Sequence, residues 1–224
     1  MSSQIIELSN IEPAKLDGFL SLGWFRMQQT IFTTDVLYFD GQIFDAVWLR
    51  LRIQDFVRDK KYKILTRKNK MFRTEIKKEK ITPEHEALYN SYKQSIPFEG
   101  ATSLHSLLYG DSVTNVYNTW MIDVYDDDTL IGTGCFDLGN KAAAGICSIY
   151  DPAYKKYSLG KFMIYEKIQF CKKKEIIFFY PGYFVPGYPL FDYKLEIGKP
   201  VIEYFKPGIR KWFSYYENAY KFLK

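Results

Sequence analysis

SIYDPAYKKYSLGKFMIYEKIQFCKKKEIIFFYPGYFVPGYPLFDYK, residues 148–194, is the stretch on which the fold turns. Ile146 to Tyr150 is rich in β-branched and aromatic side chains and reads as a strand that Asp151-Pro152 ends. The spacing predicts a helix opening at Ser158-Leu159-Gly160 and running to about Lys174. Glu175 to Tyr180, a short apolar run, reads as the next strand. Strand, small-residue loop, helix and strand make one βαβ unit. Its loop sets free backbone N–H groups and a helix N-terminus beside Lys155, Lys156 and Lys161, an arrangement that attracts anions. Ser158 equally fits an ordinary helix N-cap. These residues alone leave a phosphate cradle and a plain cap both open.

Working outward, Pro13 sits at a helix start with Leu16, Phe19 and Leu20 on one face and Gly23 just past the end. Residues 25–38 and 46–53 read as strands, with Asp40-Gly41 as a hairpin-like turn between them. Thr82-Pro83 is an N-cap and N1 pair for a helix to about Gln94. A short helix is expected from Leu104 to Tyr109, ending at Gly110. Residues 120–124 and 130–138 form a hairpin around Asp126-Asp127-Asp128. That acidic tip lacks the later glutamate of a calcium loop, so a solvated turn is expected. After the βαβ unit, Pro207-Gly208 precedes an expected final helix, with Ile209, Trp212, Phe213, Tyr216, Tyr220 and Leu223 at helical spacing. The sum is an α+β protein.

At 224 residues the chain can bury a sizeable core, and 47% hydrophobic with 18% aromatic residues argues against disorder. No run of eighteen apolar residues exists, and the N-terminus lacks a secretion signal, so neither a membrane span nor export is expected. Cys135, Cys147 and Cys171 are an odd, scattered set and read as buried reduced thiols of a cytoplasmic protein. With His85 and His105 the only histidines and no Cys-x-x-Cys, no metal site is expected.

Charge is concentrated. Residues 58–80 carry eleven Lys/Arg and three Asp/Glu, a local +8 against +5 for the whole chain. Such asymmetry reads as a polyanion patch, nucleic acid first, or as a solvated basic helix or hairpin with no partner. Tyr62, Ile64, Leu65, Met71 and Phe72, interleaved with the lysines, indicate a segment folded against something.

The order YDPxYxxxSLGxxxIxExI…YxGYxxPGxPxxxYK across the opening stretch resembles the C-terminal half of the arginyl-tRNA–protein transferases and the related bacterial leucyl-transferases. LRIQDFVRDKKYKILTRKN (51–69), ITPEHEALYNSY (81–92) and Gly23-Trp24-Phe25-Arg26 are similar to further motifs of that family in the same order. The resemblance spans about residues 22–200. It implies a GNAT-like acyltransferase fold, in which two parallel strands splay apart to admit the acyl donor, behind an N-terminal lobe. Residues 1–97 and 98–224 are the expected lobes, with one compact unit as the alternative. The chain departs from the family where a cysteine cluster follows the N-terminal motif: TTDVLYFDGQIFDAVW (33–48) has no cysteine. It departs again at Tyr188, Leu190 and Phe191, which stand where relatives carry a small or sulfur residue, a lysine and a methionine.

The resemblance further implies an N-degron enzyme that moves arginine or leucine from aminoacyl-tRNA to the N-terminal amine of a protein, with no other cofactor. Asp137, on a strand expected beside the donor loop, is the implied proton acceptor, with a strand-end aspartate bonded to a turn as the plain reading, and Tyr183 is a further catalytic residue. Lys60, Lys63, Arg67 and Lys68 would bind tRNA phosphates. Lys155, Lys156, Ser158 and Gly160 would hold the donor, and Tyr193 and Lys194 would contact its ribose, phosphate or terminal base. Aromatic residues on strands are usually packing. Two other classes fit the residues: an N-acyltransferase using acyl-CoA, although the loop lacks the usual Gln/Arg-x-x-Gly-x-Gly/Ala form, and a catalytically silent binder of tRNA or protein N-termini.

Overall fold

Alternation along neighbouring strands sets the layers. Phe136, Leu138, Ala143 and Phe179 are buried on one face of a sheet, and Ala142, Ala144 and Tyr180 on the other. The structure is a computed structural model and describes residues 3–39, 41–96, 100–198 and 201–215. In chain order these hold β1 (Gln4–Glu7), α1 (Pro13–Ser21), β2 (Phe25–Met27), β3 (Thr30–Thr33), β4 (Val36–Phe39), β5 (Gln42–Asp45) and β6 (Val47–Arg52). Next come α2 (Lys60–Asn69), β7 (Arg73–Lys78), α3 (Pro83–Ser95), α4 (Leu104–Tyr109), β8 (Thr119–Asp126) and β9 (Thr129–Leu138). The remainder is β10 (Ala142–Gly145), β11 (Ile149–Tyr150), α5 (Leu159–Lys173), β12 (Phe178–Phe184), α6 (Tyr193–Glu196), β13 (Ile202–Lys206) and β14 (Lys211–Ser214).

The main sheet runs β14-β13-β6-β12-β10-β9-β8-β7, with β11 also paired to β9. β10 and β12 run parallel, joined by α5; the other pairings are antiparallel. Ile164, Ile168 and Cys171 of α5 fill one face, and Leu16 and Leu20 of α1 the other. The expected division between residues 1–97 and 98–224 is not a division of the sheet: β6 lies between β12 and β13, and β7 lies beside β8.

The capped helix at Thr82-Pro83, the Leu104–Tyr109 helix, the helix after Ser158 and the β8–β9 hairpin form where the sequence places them. The first strand of the βαβ unit is a correction: the strand parallel to β12 is Ala142–Gly145, while of the expected Ile146–Tyr150 only Ile149 and Tyr150 are in a strand, antiparallel to β9, because the chain bulges at Ile146-Cys147. Gly23, at φ +78°, turns the chain where a Cβ would stand 2.6 Å from the Phe205 ring. Residues 25–38 break into three short strands, and Phe39 pairs with Gln42 around the expected turn, whose Asp40 lies outside the described residues.

The final helix is a correction. Pro207–Ile209 forms a turn with Arg210 left-handed, and Lys211–Ser214 returns as β14 against β13. Cross-strand ring pairs Phe205–Trp212 and Tyr204–Phe213, at 5.1 and 5.9 Å, outweigh the helical spacing. Tyr216, Tyr220 and Leu223 lie outside the described residues.

Candidate active site

The parallel pair β10–β12 opens into a splay. Ala142, Ala143 and Ala144 pair with Phe178, Phe179 and Tyr180, and the register goes no further. On one side the chain bulges at Ile146-Cys147, whose N–H groups both donate to Cys135 O, at 2.9 and 3.4 Å. On the other, β12 shifts register against β6 between Phe179 and Gly182. Gly182 takes φ +86°, a backbone state that favours glycine.

Asp137 sits in the row of the splay's last pair, opposite Ala144 on one strand and Thr119 on the other. It is wholly buried, and Oδ1 accepts from Arg26 Nη1 at 2.9 Å and Thr119 Oγ1 at 2.6 Å. Arg26 also donates to the carbonyls of Gln28 and Leu108, each at 2.6 Å, and stacks on Tyr117 at 4.4 Å. Burial pushes the Asp137 carboxyl up, with the Arg26 charge opposing it. Its Oδ2 is buried without a hydrogen-bond partner. The expectation that Asp137 lies beside the donor loop is corrected. Asp151, where the loop starts, bonds Ile131 O at 2.9 Å, six residues earlier on β9. That is roughly 20 Å along a strand.

Tyr183, on the far lip, is half-buried among Trp48 at 5.2 Å and Phe191 at 5.5 Å. Lys194 Nζ donates to Tyr183 O at 2.6 Å and lies over the Tyr183 and Phe191 rings at 5.2 and 5.1 Å. Desolvation brings its amine down to about 7. Tyr193, beside it on α6, is exposed.

The basic residues of two distant segments converge. α2 begins with Asp59 capping Tyr62 N at 2.7 Å and presents Lys60, Lys63, Arg67 and Lys68 to solvent. Its end docks on the loop before α5: Lys68 Nζ donates to Lys156 O, and Asn69 Nδ2 to Tyr157 O at 3.0 Å. Phe72 packs on the Tyr154 and Tyr157 rings at 5.9 and 4.9 Å. Lys155 and Lys156, both exposed, thereby continue the α2 surface. Lys161 does not join it, being paired to Glu196 at 2.5 Å. Ser158 stands at the N-cap position but makes no side-chain cap bond and is left-handed, at φ 54°. At Gly160 a Cβ would meet Tyr150 ring carbons at 3.6 and 3.8 Å, an ordinary contact, so the fold itself does not demand glycine there.

Three buried polar groups have no role that the sequence alone assigns. Arg26 belongs to the N-terminal motif, where nothing nearby in the chain names its partner. His85 caps α3, its Nδ1 at 3.2 Å from Thr82 N, and its Nε2 contacts the buried Asp123 at 3.1 Å. Burial pushes the Asp123 carboxyl up, but bonds from His85, Lys77 and Thr133 hold it below its usual value. Lys167 falls at the spacing of Ile164 and Cys171, so a lysine on an apolar helix stripe is its available signal. Its Nζ reaches Cys147 O at 2.6 Å, Cys135 O at 3.1 Å and Ser148 Oγ at 3.2 Å. Among the described residues no cluster of His, Cys, Asp or Glu could hold a metal ion. No helix among them is long and apolar enough to cross a membrane.

Known proteins resemble this chain in sequence and in fold. A leucyltransferase of Helicobacter hepaticus, named aspartate/glutamate leucyltransferase, is 26% identical over 92% of this chain and 88% of its own. A Leptospira interrogans protein of the same name is 30% identical over 67% of this chain and 60% of its own. The crystal structure of FemX superposes with a TM-score of 0.50 at 8% identity, covering 80% of this chain and 63% of that one. The helices and the mixed sheet make the fold α+β. The family described as arginine-tRNA-protein transferase, C terminus, matches residues 84–222, more than half of the sequence, and the chain belongs to that family.

Proposed function

We propose that this protein is an aminoacyltransferase that moves leucine from leucyl-tRNA to the N-terminal amine of proteins beginning with aspartate or glutamate. Such a reaction marks proteins for degradation in the cytoplasm, where charged tRNA is made. The choice of leucine and of acidic acceptors rests on the relatives' names. The observation that carries the tRNA donor is the docking of the basic helix α2 on the loop before α5. It makes one exposed cationic surface from Lys60, Lys63, Arg67, Lys68, Lys155 and Lys156. Polyphosphate binding needs that kind of surface.

The ester of a charged tRNA is already activated. What the protein adds is alignment, on the order of 7–11 kcal/mol at best, and a place for the proton of the attacking ammonium. The splay admits the aminoacyl end while the backbone phosphates lie along α2 and the loop; a single-stranded 3′ end spans that separation. Two groups are assigned to the proton. Asp137 keeps Oδ2 unpartnered at the row where β10 and β12 part. Lys194, less enclosed, presents an amine that desolvation brings down to about 7. Tyr183 positions Lys194 through its carbonyl. Ser158, Gly160 and Tyr193 flank the donor.

The test is a competition assay. The protein is given leucyl-tRNA, arginyl-tRNA and acetyl-CoA together with peptides beginning with Asp, Glu or Ala, and the products are read by mass. Leucine on the Asp and Glu peptides is the expected product. Acetylation alone would establish the acyl-CoA reading, and tRNA binding without any product would establish a silent binder.

A further inference from the structure

The bulge that opens the splay is built around two cysteines. Cys147 N donates to Cys135 O at 3.4 Å and Cys135 N to Cys147 O at 3.2 Å. Residues that exchange both backbone bonds across an antiparallel ladder hold their Cα atoms about 5.5 Å apart. A disulfide spans roughly 4.4–6.8 Å. Each thiol perturbs the proton affinity of the other. Cys135 is wholly buried and Cys147 half-buried, so attack from solvent reaches Cys147 first.

The surroundings favour a thiolate. Lys167 is wholly buried behind the pair, and its partners, the carbonyls of Cys135 and Cys147 and the Ser148 hydroxyl, are all neutral. A buried ammonium with neutral partners stabilises an anion formed nearby. The Cys135 thiol holds the Cys147 thiol below its usual value; burial opposes it and the Lys167 charge assists. Cys171, on α5, has burial pushing it up to about 12. Low-pKa thiols beside a second thiol are the ones that oxidise reversibly.

We propose that Cys135 and Cys147 form a peroxide-oxidisable dithiol at the splay, in which Cys147 reacts first and Cys135 closes the disulfide. The Cys147 thiolate attacks one oxygen of hydrogen peroxide. The O–O bond breaks, an S–OH forms, and the departing hydroxide leaves as water after taking a proton. Cys135 sulfur then attacks Cys147 sulfur. The S–S bond forms, the S–O bond breaks, and the second hydroxide leaves as water with the Cys135 proton. Two thiols are oxidised and one peroxide is reduced to two waters. This thiol chemistry is independent of the proposed transfer.

The experiment treats reduced wild-type protein with a small excess of hydrogen peroxide, then counts free thiols after denaturation and maps peptides without reductant. Two of the three thiols should be lost, in one cross-linked peptide pair carrying Cys135 and Cys147, and dithiothreitol should restore both. In Cys135→Ser, Cys147 should stop at the sulfenic acid and be captured by dimedone. Survival of all three thiols would overturn the proposal, as would oxidation of Cys171 ahead of Cys147 or cross-linking only between separate chains.

Discussion

This molecule holds positive charge in two opposite ways. On the flank made by α2 and the loop before α5, six lysines and arginines stand in solvent. Around the splay, Arg26, Lys167 and Lys194 are drawn inward, and each has named partners within 2.6–3.2 Å. An exposed cation costs little and acts collectively, through its field and through counterion release. A buried one carries a desolvation cost, so its loss is felt singly and locally. The flank should therefore yield graded, salt-dependent effects, and the splay abrupt ones.

The largest effect on stability should come from Arg26→Ala, which strands Asp137 as a buried charge without its counterion. Removing one partner of such a pair costs about 3–5 kcal/mol, read as the loss of unfolding free energy in urea. Arg26→Met combined with Asp137→Leu should recover most of it. A single mutant as stable as wild type would break the contrast.

For turnover, Asp137→Asn and Lys194→Met decide the proton's destination. A positioned base contributes typically 10²–10⁴-fold, so the variant lacking the true acceptor should lose a factor in that range while tRNA binding holds. If Lys194 is the acceptor, its variant also loses the pH limb near 7. Stability carries the same signature. Desolvation lowers the amine's folded-state value below the usual value of a free lysine. Between about 7 and that usual value the unfolded chain binds more protons, so wild-type stability rises with pH there. Lys194→Met should therefore gain melting temperature most below pH 7, with the gain shrinking towards pH 10. A gain that does not vary with pH would contradict a charge held at that site.

On the flank, Lys60→Glu, Lys63→Glu, Arg67→Glu and Lys68→Glu together should weaken tRNA binding without changing melting temperature by much. Every phosphate that the variant no longer neutralises should lower the log–log salt slope by roughly one. The smallest structural effect belongs to Gly160→Val. A Cβ there meets only ordinary contacts, so folding should persist while donor binding falls. Full binding would place the donor elsewhere.

The same contrast explains what is legible in the sequence. Local signals suffice for helix α5, the Thr82-Pro83 helix start and the basic run, because periodicity, capping and charge density lie within a few neighbours; the parallel partner of β12, Ala142–Gly145, is set by pairing between segments and not by any local run. The Arg26–Asp137 pair joins residues 111 apart, and no local pattern announces it. The insertion of β6 between β12 and β13 is long-range in the same way. At residues 209–213 the spacing matches a helix, but cross-strand pairing with β13, a contact between segments, decides for a strand. Asp137 is legible as a buried strand acid, whereas its distance from the loop depends on register.

The most direct test separates flank from splay with two donors, leucyl-tRNA and the small ester 3′-leucyl-adenosine, which has no phosphate backbone. Transfer to a peptide beginning with aspartate is measured as kcat/KM for wild type and for the quadruple α2 variant. The variant should lose most of its rate with leucyl-tRNA, while the two proteins use leucyl-adenosine equally, with the same slow rate. An equal loss on both donors, or none on either, would contradict a tRNA-binding flank that is separate from the reacting splay.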